Sequence, residues 1–161
     1  MSDIESIDFK SLMRNSTCDI FDKMLSMSVE TVDSEQAHIQ ETHKIVGSVG
    51  LAGEVIGCIN IHVDTALAET ITANMLGENP EDIEDEEILD VVGELSNMIG
   101  GNLKSCLCDA GLSCSLSIPI ATTGKDFVIG SKAWLRHERC AFQTKGHVAM
   151  VEFYIKSNNQ H

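Results

Sequence analysis

Apolar and polar positions change period several times along the chain, and each change marks an element. Over residues 5–27, Ile7, Met13, Ile20, Met24 and Met27 recur at helical spacing, with Leu12, Phe21 and Leu25 beside them, which predicts a first helix. Asn15-Ser16-Thr17 interrupts that stripe, and plain exposure is its simplest explanation. Between residues 43 and 51 the apolar positions are Ile45, Val49 and Leu51, and Ala52-Gly53-Glu54 reads as a turn. From residue 57 the pattern alternates, with Ile59, Ile61 and Val63 on one side and Asn60 and His62 on the other, completing a β-hairpin. Asp64 is a good N-cap for a helix that runs through Leu76 and closes on Gly77. Its apolar face is Leu67, Ile71 and Met75, with Ala66, Ala68 and Leu76 alongside.

Asn79-Pro80 starts a turn, and residues 81–110 then follow the pattern of one long helix ended by Gly111. Residues 112–118 alternate strictly, as a half-buried strand does, with Pro119 at its end and a loop at 124–126. Residues 132–143 and 147–156 form a second hairpin turned at Thr144-Lys145-Gly146, and residues 157–161 make a polar, frayed tail. Short turns between strands favour an antiparallel sheet. Two long helices and one shorter helix cover it, which is an α+β architecture in a single domain over residues 1–161, with its core between about residues 5 and 156. The two helix-plus-strands halves are too dissimilar in sequence to count as a repeat.

Composition and charge narrow the function classes. With 161 residues, 43% of them apolar, the chain suits one soluble globular domain. Its 11 Lys and Arg against 25 Asp and Glu give a formal net charge of −14, which repels phosphate backbones. One Trp, one Tyr and five Phe leave little for a base-stacking platform, so no nucleic-acid partner is expected. The acidic start Met1-Ser2-Asp3-Ile4-Glu5-Ser6 lacks the apolar run of a signal peptide, and no stretch approaches the roughly 18 apolar residues of a membrane helix. A cytoplasmic location without membrane attachment follows as an expectation. Cys58, Cys114 and Cys140, inside apolar or alternating segments, read as buried reduced thiols. Cys106 and Cys108 fall about 200° apart on a helix, so they cannot share a metal, and no metal site is expected.

The chemistry concentrates on the long helix, in Asp90-Val91-Val92-Gly93-Glu94-Leu95-Ser96-Asn97-Met98-Ile99-Gly100-Gly101-Asn102-Leu103-Lys104-Ser105. At about 100° per residue, with Glu94 at zero, Asp90 falls near −40°, Asn97 near −60°, Gly101 near −20° and Ser105 near +20°. Ile88, Val92, Leu95, Ile99, Leu103 and Cys106 cluster at about 100–180°, so the polar strip lies almost opposite the core stripe. Gly101, on the strip, removes bulk and allows another molecule to approach the backbone, whereas Gly100 serves tight packing. Spacing alone leaves an ordinary exposed face or a partner-binding surface, because a convex helix has no cleft of its own.

Glu94-x-x-Asn97-x-x-x-Gly101-Asn102, with Lys104 behind it, resembles the signature of the CheC/CheX/FliY phosphatases of bacterial chemotaxis. Gly50-Leu51-Ala52-Gly53-Glu54-Val55-Ile56-Gly57, residues 66–77, Ser117-Ile118-Pro119, Phe21-Asp22-Lys23-Met24-Leu25 and the closing hairpin resemble the single-site CheX branch in the same order, so the likeness covers about residues 5–156. The doubled Gly100-Gly101, Ser96 before the asparagine and the heavy acidic run depart from the usual pattern, and the first helix carries no second Glu-x-x-Asn pair.

The resemblance implies a CheC-like fold and hydrolysis of the phospho-aspartate of a CheY-like response regulator. Asn97 would hold the attacking water and Glu94 would pair with the regulator's active-site lysine. Asp90, Gly101 and Ser105 would complete the partner-binding surface. It implies no cofactor of the chain's own, Mg²⁺ supplied by the regulator, and a homodimer. Two other functions use the same strip: a non-catalytic receiver-binding module, and an adaptor domain in which the pair is a relic.

Overall fold

The computed structural model describes residues 4–33, 43–124 and 134–158. The first helix, α1 (Phe9–Leu25), is shorter at both ends than its periodicity predicts. Asp8 starts it by accepting a hydrogen bond from the Ser11 N–H at 3.1 Å, and Ser26 stops it with a left-handed φ of 52°. Ser16 and Thr17, expected on the surface, are buried beside Met13, Ile20 and Phe21, whereas Met24 is 52% exposed. The polar interruption is an internal tie: Asn102 of the long helix donates to Ser16 Oγ at 2.7 Å.

Residues 30–32 form a short strand, β1 (Glu30–Val32), that the sequence pattern does not announce. The first hairpin is β2 (Lys44–Gly53) and β3 (Val55–Asp64), in register from Lys44↔Asp64 to Ala52↔Ile56. It leads straight into α2 (Thr65–Leu76), where Asp64 accepts from the Leu67 N–H at 2.6 Å and Gly77 caps the end at φ 68°. Thr72 and Ala73 complete the buried face in place of Leu76, which is 42% exposed.

The long helix, α3 (Asp85–Asp109), starts later than residue 81. Pro80–Asp82 is a separate 3₁₀ turn, Ile83 is extended at ψ 131°, and the Glu87 carboxylate accepts from the Glu84 N–H at 3.1 Å. The acidic run is thus divided between a turn and the positive end of a new helix, where carboxylates are favourable. At the far end Gly111 takes φ 88°.

The strand expected over residues 112–118 shrinks to β4 (Cys114–Leu116), and β5 (Ile120–Gly124) follows over residues to which the pattern assigned no strand, taking in Gly124 of the expected loop. Both pair with β2, from Leu51↔Leu116 on one side of the break and Ser48↔Ile120 on the other. Two residues of β2 therefore face three, Ser117, Ile118 and Pro119, which is a β-bulge at a residue that cannot donate to the ladder. Ser117 anchors it, donating its N–H to Gly50 O at 2.9 Å and accepting from Gly50 N at 2.8 Å. Residues 125–126 of the expected loop lie outside the described residues.

The closing hairpin is β6 (Arg136–Thr144) and β7 (His147–Ser157), joined by Lys145 at φ 48° and Gly146 at φ 79°, the two positive values of a tight hairpin turn. Residues 132–133, expected in its first strand, lie outside the described residues, and residues 134–135 precede the strand. The tail is not frayed as far as Asn158, which donates to Glu54 O and Gly53 O at 3.0 and 2.9 Å. Residues 159–161 lie outside the described set.

All pairings are antiparallel, in the order β1-β6-β7-β3-β2-β4 with β5 also on β2. The helices pack on the face that carries Val49, Ile59, Ile61, Val151 and Phe153, so the α+β expectation holds. The opposite face is more closed than its alternation suggests: Asn60 and His62 are 1% and 5% exposed. There Glu152 meets His62 Nε2 at 2.5 Å, Tyr154 OH at 2.9 Å and His137 Nε2 at 3.2 Å. Burial pushes the Glu152 carboxyl up, but the hydrogen bond and charge of His62, aided by Tyr154 and Arg139, hold it down at about 2. Burial and the Glu152 hydrogen bond push Tyr154 up to about 12.

Candidate functional site

Helix α3 lies across β2, and its buried residues Val92, Leu95, Ile99 and Leu103 press onto the sheet. The two glycines in its middle behave differently. A Cβ on Gly100 would stand 2.7 Å from Val49 Cγ1, so the absence of a side chain lets helix and sheet approach. A Cβ on Gly101 would meet nothing within 4 Å. The division of labour expected from spacing, packing for one and open approach for the other, holds.

Opposite the core stripe stand the residues of the polar strip. Asp90, Glu94 and Ser105 are exposed, and Asn97 and Gly101 are half-buried. The side chains of Glu94 and Asn97 make no hydrogen bond or ion pair with another described residue, and both reach solvent one turn apart. On the helical wheel Asn97, at about −60°, leans toward Gly93 at about −100°. That flank faces the bulge, because Pro119 Cβ lies 3.8 Å from where a Gly93 Cβ would be. Between them opens a cleft of about 220 Å³ lined by Leu89, Asp90, Gly93, Pro119 and Ala121. The bulge and this cleft leave one mark in the sequence pattern, Pro119 after an alternating run. The opposite flank of α3 contacts α1 and α2, and there Asn102, one of the signature residues, turns out to tie α3 to α1.

Three histidines have structural partners. His147 Nδ1 lies 2.8 Å from Asp64 Oδ2, at the N-cap of α2, and His62 and His137 belong to the Glu152 cluster. All six cysteines are free. Cys140 is buried, but Cys58 and Cys114, expected to be so too, are only partly covered. Burial pushes the thiols of Cys18, Cys58, Cys106, Cys114 and Cys140 up, away from a reactive thiolate. Among the described residues no three His, Cys, Asp or Glu side chains converge as metal ligands. No described helix is long and apolar enough to cross a membrane.

The described residues thus form an antiparallel sheet under helices, one of which carries the Glu94 carboxylate and the Asn97 carboxamide one turn apart on its outer side. Residues 45–143 match the family model described as chemotaxis phosphatase CheX, and the chain belongs to that family. The "CheY-P phosphatase CheX" of Thermotoga maritima is 29% identical over 98 residues, 61% of this chain and 63% of that protein, so the alignment spans less than two thirds of the relative's length. The crystal structure of the chemotaxis protein CheX from Vibrio vulnificus matches with a TM-score of 0.78 at 27% identity, over 93% of this chain and 97% of that one. A CheX-CheY-BeF3-Mg²⁺ complex from Borrelia burgdorferi shares the fold, with a TM-score of 0.74 at 21% identity over 94% and 99% of the two chains.

Proposed function

We propose that this protein accelerates hydrolysis of the phospho-aspartate of a CheY-like response regulator. One observation carries the proposal: the exposed Glu94 and the half-buried Asn97 stand one turn apart on the outer side of α3, their side chains without partners among the described residues, beside Gly101, where an added Cβ would meet nothing within 4 Å. Family membership and the phosphatase named in the Thermotoga relative support it.

The chemistry suits so sparse a site. An acyl phosphate is already activated, and its hydrolysis needs a positioned water and neutralised charge more than a nucleophile. The Asn97 side-chain amide holds the water in line with phosphorus. A P–O bond forms to that water as the P–O bond to the regulator's aspartate breaks, releasing inorganic phosphate and a free carboxylate. Glu94 makes a charge-assisted contact with the regulator's active-site lysine and fixes the docking angle. Asp90 and Ser105 extend the contact along the strip, and Gly101 lets the regulator close over the helix. Mg²⁺, supplied by the regulator, neutralises phosphoryl charge when bound. A homodimer and a cytoplasmic location belong to the same proposal, supported by the resemblance of the chain to the CheX branch, and light scattering tests the dimer.

The test is phosphate release from CheY-like receivers phosphorylated with acetyl phosphate. Asn97→Ala is expected to lower kcat by roughly 10²–10³-fold, the scale seen when one positioned polar group is removed, with the melting temperature retained. Glu94→Lys is expected to raise KM more than Glu94→Ala. Normal turnover by Asn97→Ala would remove the water-positioning role, and binding without any acceleration by the native chain would identify a sequestering module instead.

A further inference from the structure

Gly93 poses a question that the internal packing does not answer. A glycine inside a helix is unfavourable relative to alanine, and Gly100 has a reason for it in Val49. Gly93 has none, because an added Cβ would sit at ordinary contact distance, 3.8 Å, from Pro119 Cβ and would meet nothing else within 4 Å. What the missing side chain does leave is the cleft between α3 and the bulge, where Leu89, Pro119 and Ala121 supply the smaller, apolar part of a mainly polar lining that includes the exposed Asp90. The bulge is fixed by the paired Ser117–Gly50 hydrogen bonds, so the cleft has a firm wall on each side.

We propose that this cleft receives a lysine or arginine side chain from the surface of the docked receiver domain, a contact separate from the one made by Glu94. The mainly polar lining with the Asp90 carboxylate suits the cationic head, and the smaller apolar part at Leu89, Pro119 and Ala121 suits the methylene stem. Charge argues for the same occupant: Glu84, Asp85, Glu86 and Glu87 lead into the helix before Asp90, and the chain as a whole is at −14. Position ties it to docking, since Asp90 lies one turn before Glu94 and Gly93 shares a flank with Asn97. The proposal rests on the receiver being the substrate, and it assigns to Gly93 and Asp90 a specificity role rather than a catalytic one.

The experiment measures KM and kcat for a phosphorylated CheY-like receiver with four variants. Gly93→Ala, whose methyl group meets Pro119 at ordinary contact distance but narrows the cleft, melts at or above the native temperature and raises KM by about two- to threefold. Gly93→Leu fills the cleft and raises KM at least about tenfold. Asp90→Asn raises KM about three- to fivefold at low salt, with the difference shrinking as salt is added, and Asp90→Lys raises it further. Replacing receiver lysines and arginines one at a time by alanine identifies the occupant. One replacement raises KM with the native chain and has no further effect on Asp90→Asn, because the two changes remove one interaction. A folded Gly93→Leu with unchanged KM overturns the proposal, as does unchanged KM in Asp90→Lys, whose exposed position keeps folding out of the question. No receiver replacement coupling to Asp90 overturns it too. Failure of the phosphatase reading looks different: the native chain itself then releases phosphate no faster than the receiver does alone.

Discussion

Alanine at the two adjacent glycines of α3 should push stability in opposite directions. Gly101→Ala places a methyl group in open space, so only backbone preference changes, and the helix gains about 1 kcal/mol. Gly100→Ala has the same gain, but its Cβ lands 2.7 Å from Val49 Cγ1 and 3.4 Å from Leu116 Cδ2. Carbon atoms prefer about 3.5–4.0 Å, so the helix must lift from the sheet by roughly 1 Å or Val49 must leave its rotamer. Overpacking of that kind costs about 1–3 kcal/mol, which cancels the gain or exceeds it by up to about 2 kcal/mol. At roughly 2–4 °C per kcal/mol for a chain of this size, Gly101→Ala should melt about 2–4 °C higher and Gly100→Ala up to about 8 °C lower. Thermal melts followed by circular dichroism at one protein concentration measure both. Activity provides a second readout for Gly100→Ala, because a 1 Å displacement of a positioning group costs on the order of 10²-fold in rate. If both variants shift the melting temperature in the same direction, then contact with β2 does not explain the inner glycine.

Removing the Asn102–Ser16 hydrogen bond with Asn102→Ala should lower stability by about 1 kcal/mol, read as a drop of about 2–4 °C, while the strip remains in place. The Glu152 carboxyl, near 2 folded against an ordinary 4.5, binds protons more weakly folded than unfolded. Its contribution is therefore full above about pH 4.5 and is lost as pH falls toward 2, with an upper limit of about 3 kcal/mol. Glu152→Gln should thus be less stable than the native chain at pH 7, and urea melts should show that gap closing across this window; a gap independent of pH would show that the cluster acts through packing alone.

The strip and the core stripe of α3 were legible because a long, regular helix converts sequence spacing directly into angle. Glu94, Asn97, Asp90, Gly101 and Ser105 face outward where the wheel puts them, and Val92, Leu95 and Ile99 face inward. The caps at Asp64 and Gly77 were equally readable, since each depends on chemistry within a few residues. What escaped depends on partners distant in sequence. Ser16 and Thr17 look exposed until Asn102, 86 residues away, arrives to satisfy Ser16. Ile120, Thr122 and Thr123 in β5 lack an apolar alternation because β2 supplies their ladder and Ala121 alone contributes to the core. His62 and Asn60 follow the alternation of β3, but their burial comes from a second closed face that a single strand cannot reveal. The cleft at Gly93 is the joint product of a helix and a bulge, so it existed in neither segment taken alone.

The three glycines of α3 show how one helix can be a core element and, on the proposed function, a docking edge. Gly100 draws the helix close to Val49 and Leu116, which fixes its height above the sheet. Once that height is fixed, every residue on the far side inherits a defined position, and Glu94 and Asn97 need no support from neighbours of their own. Gly101 and Gly93 do the reverse, keeping one spot on the strip and one spot on its flank free of this chain's atoms. A surface that is rigid underneath and deliberately incomplete on top suits chemistry in which the reacting atoms arrive with the partner. The same arrangement separates two kinds of substitution. Changes beneath the helix should move every outward residue together and alter kcat and KM jointly, whereas changes at Gly93, Asp90 or Gly101 should alter only how the partner sits.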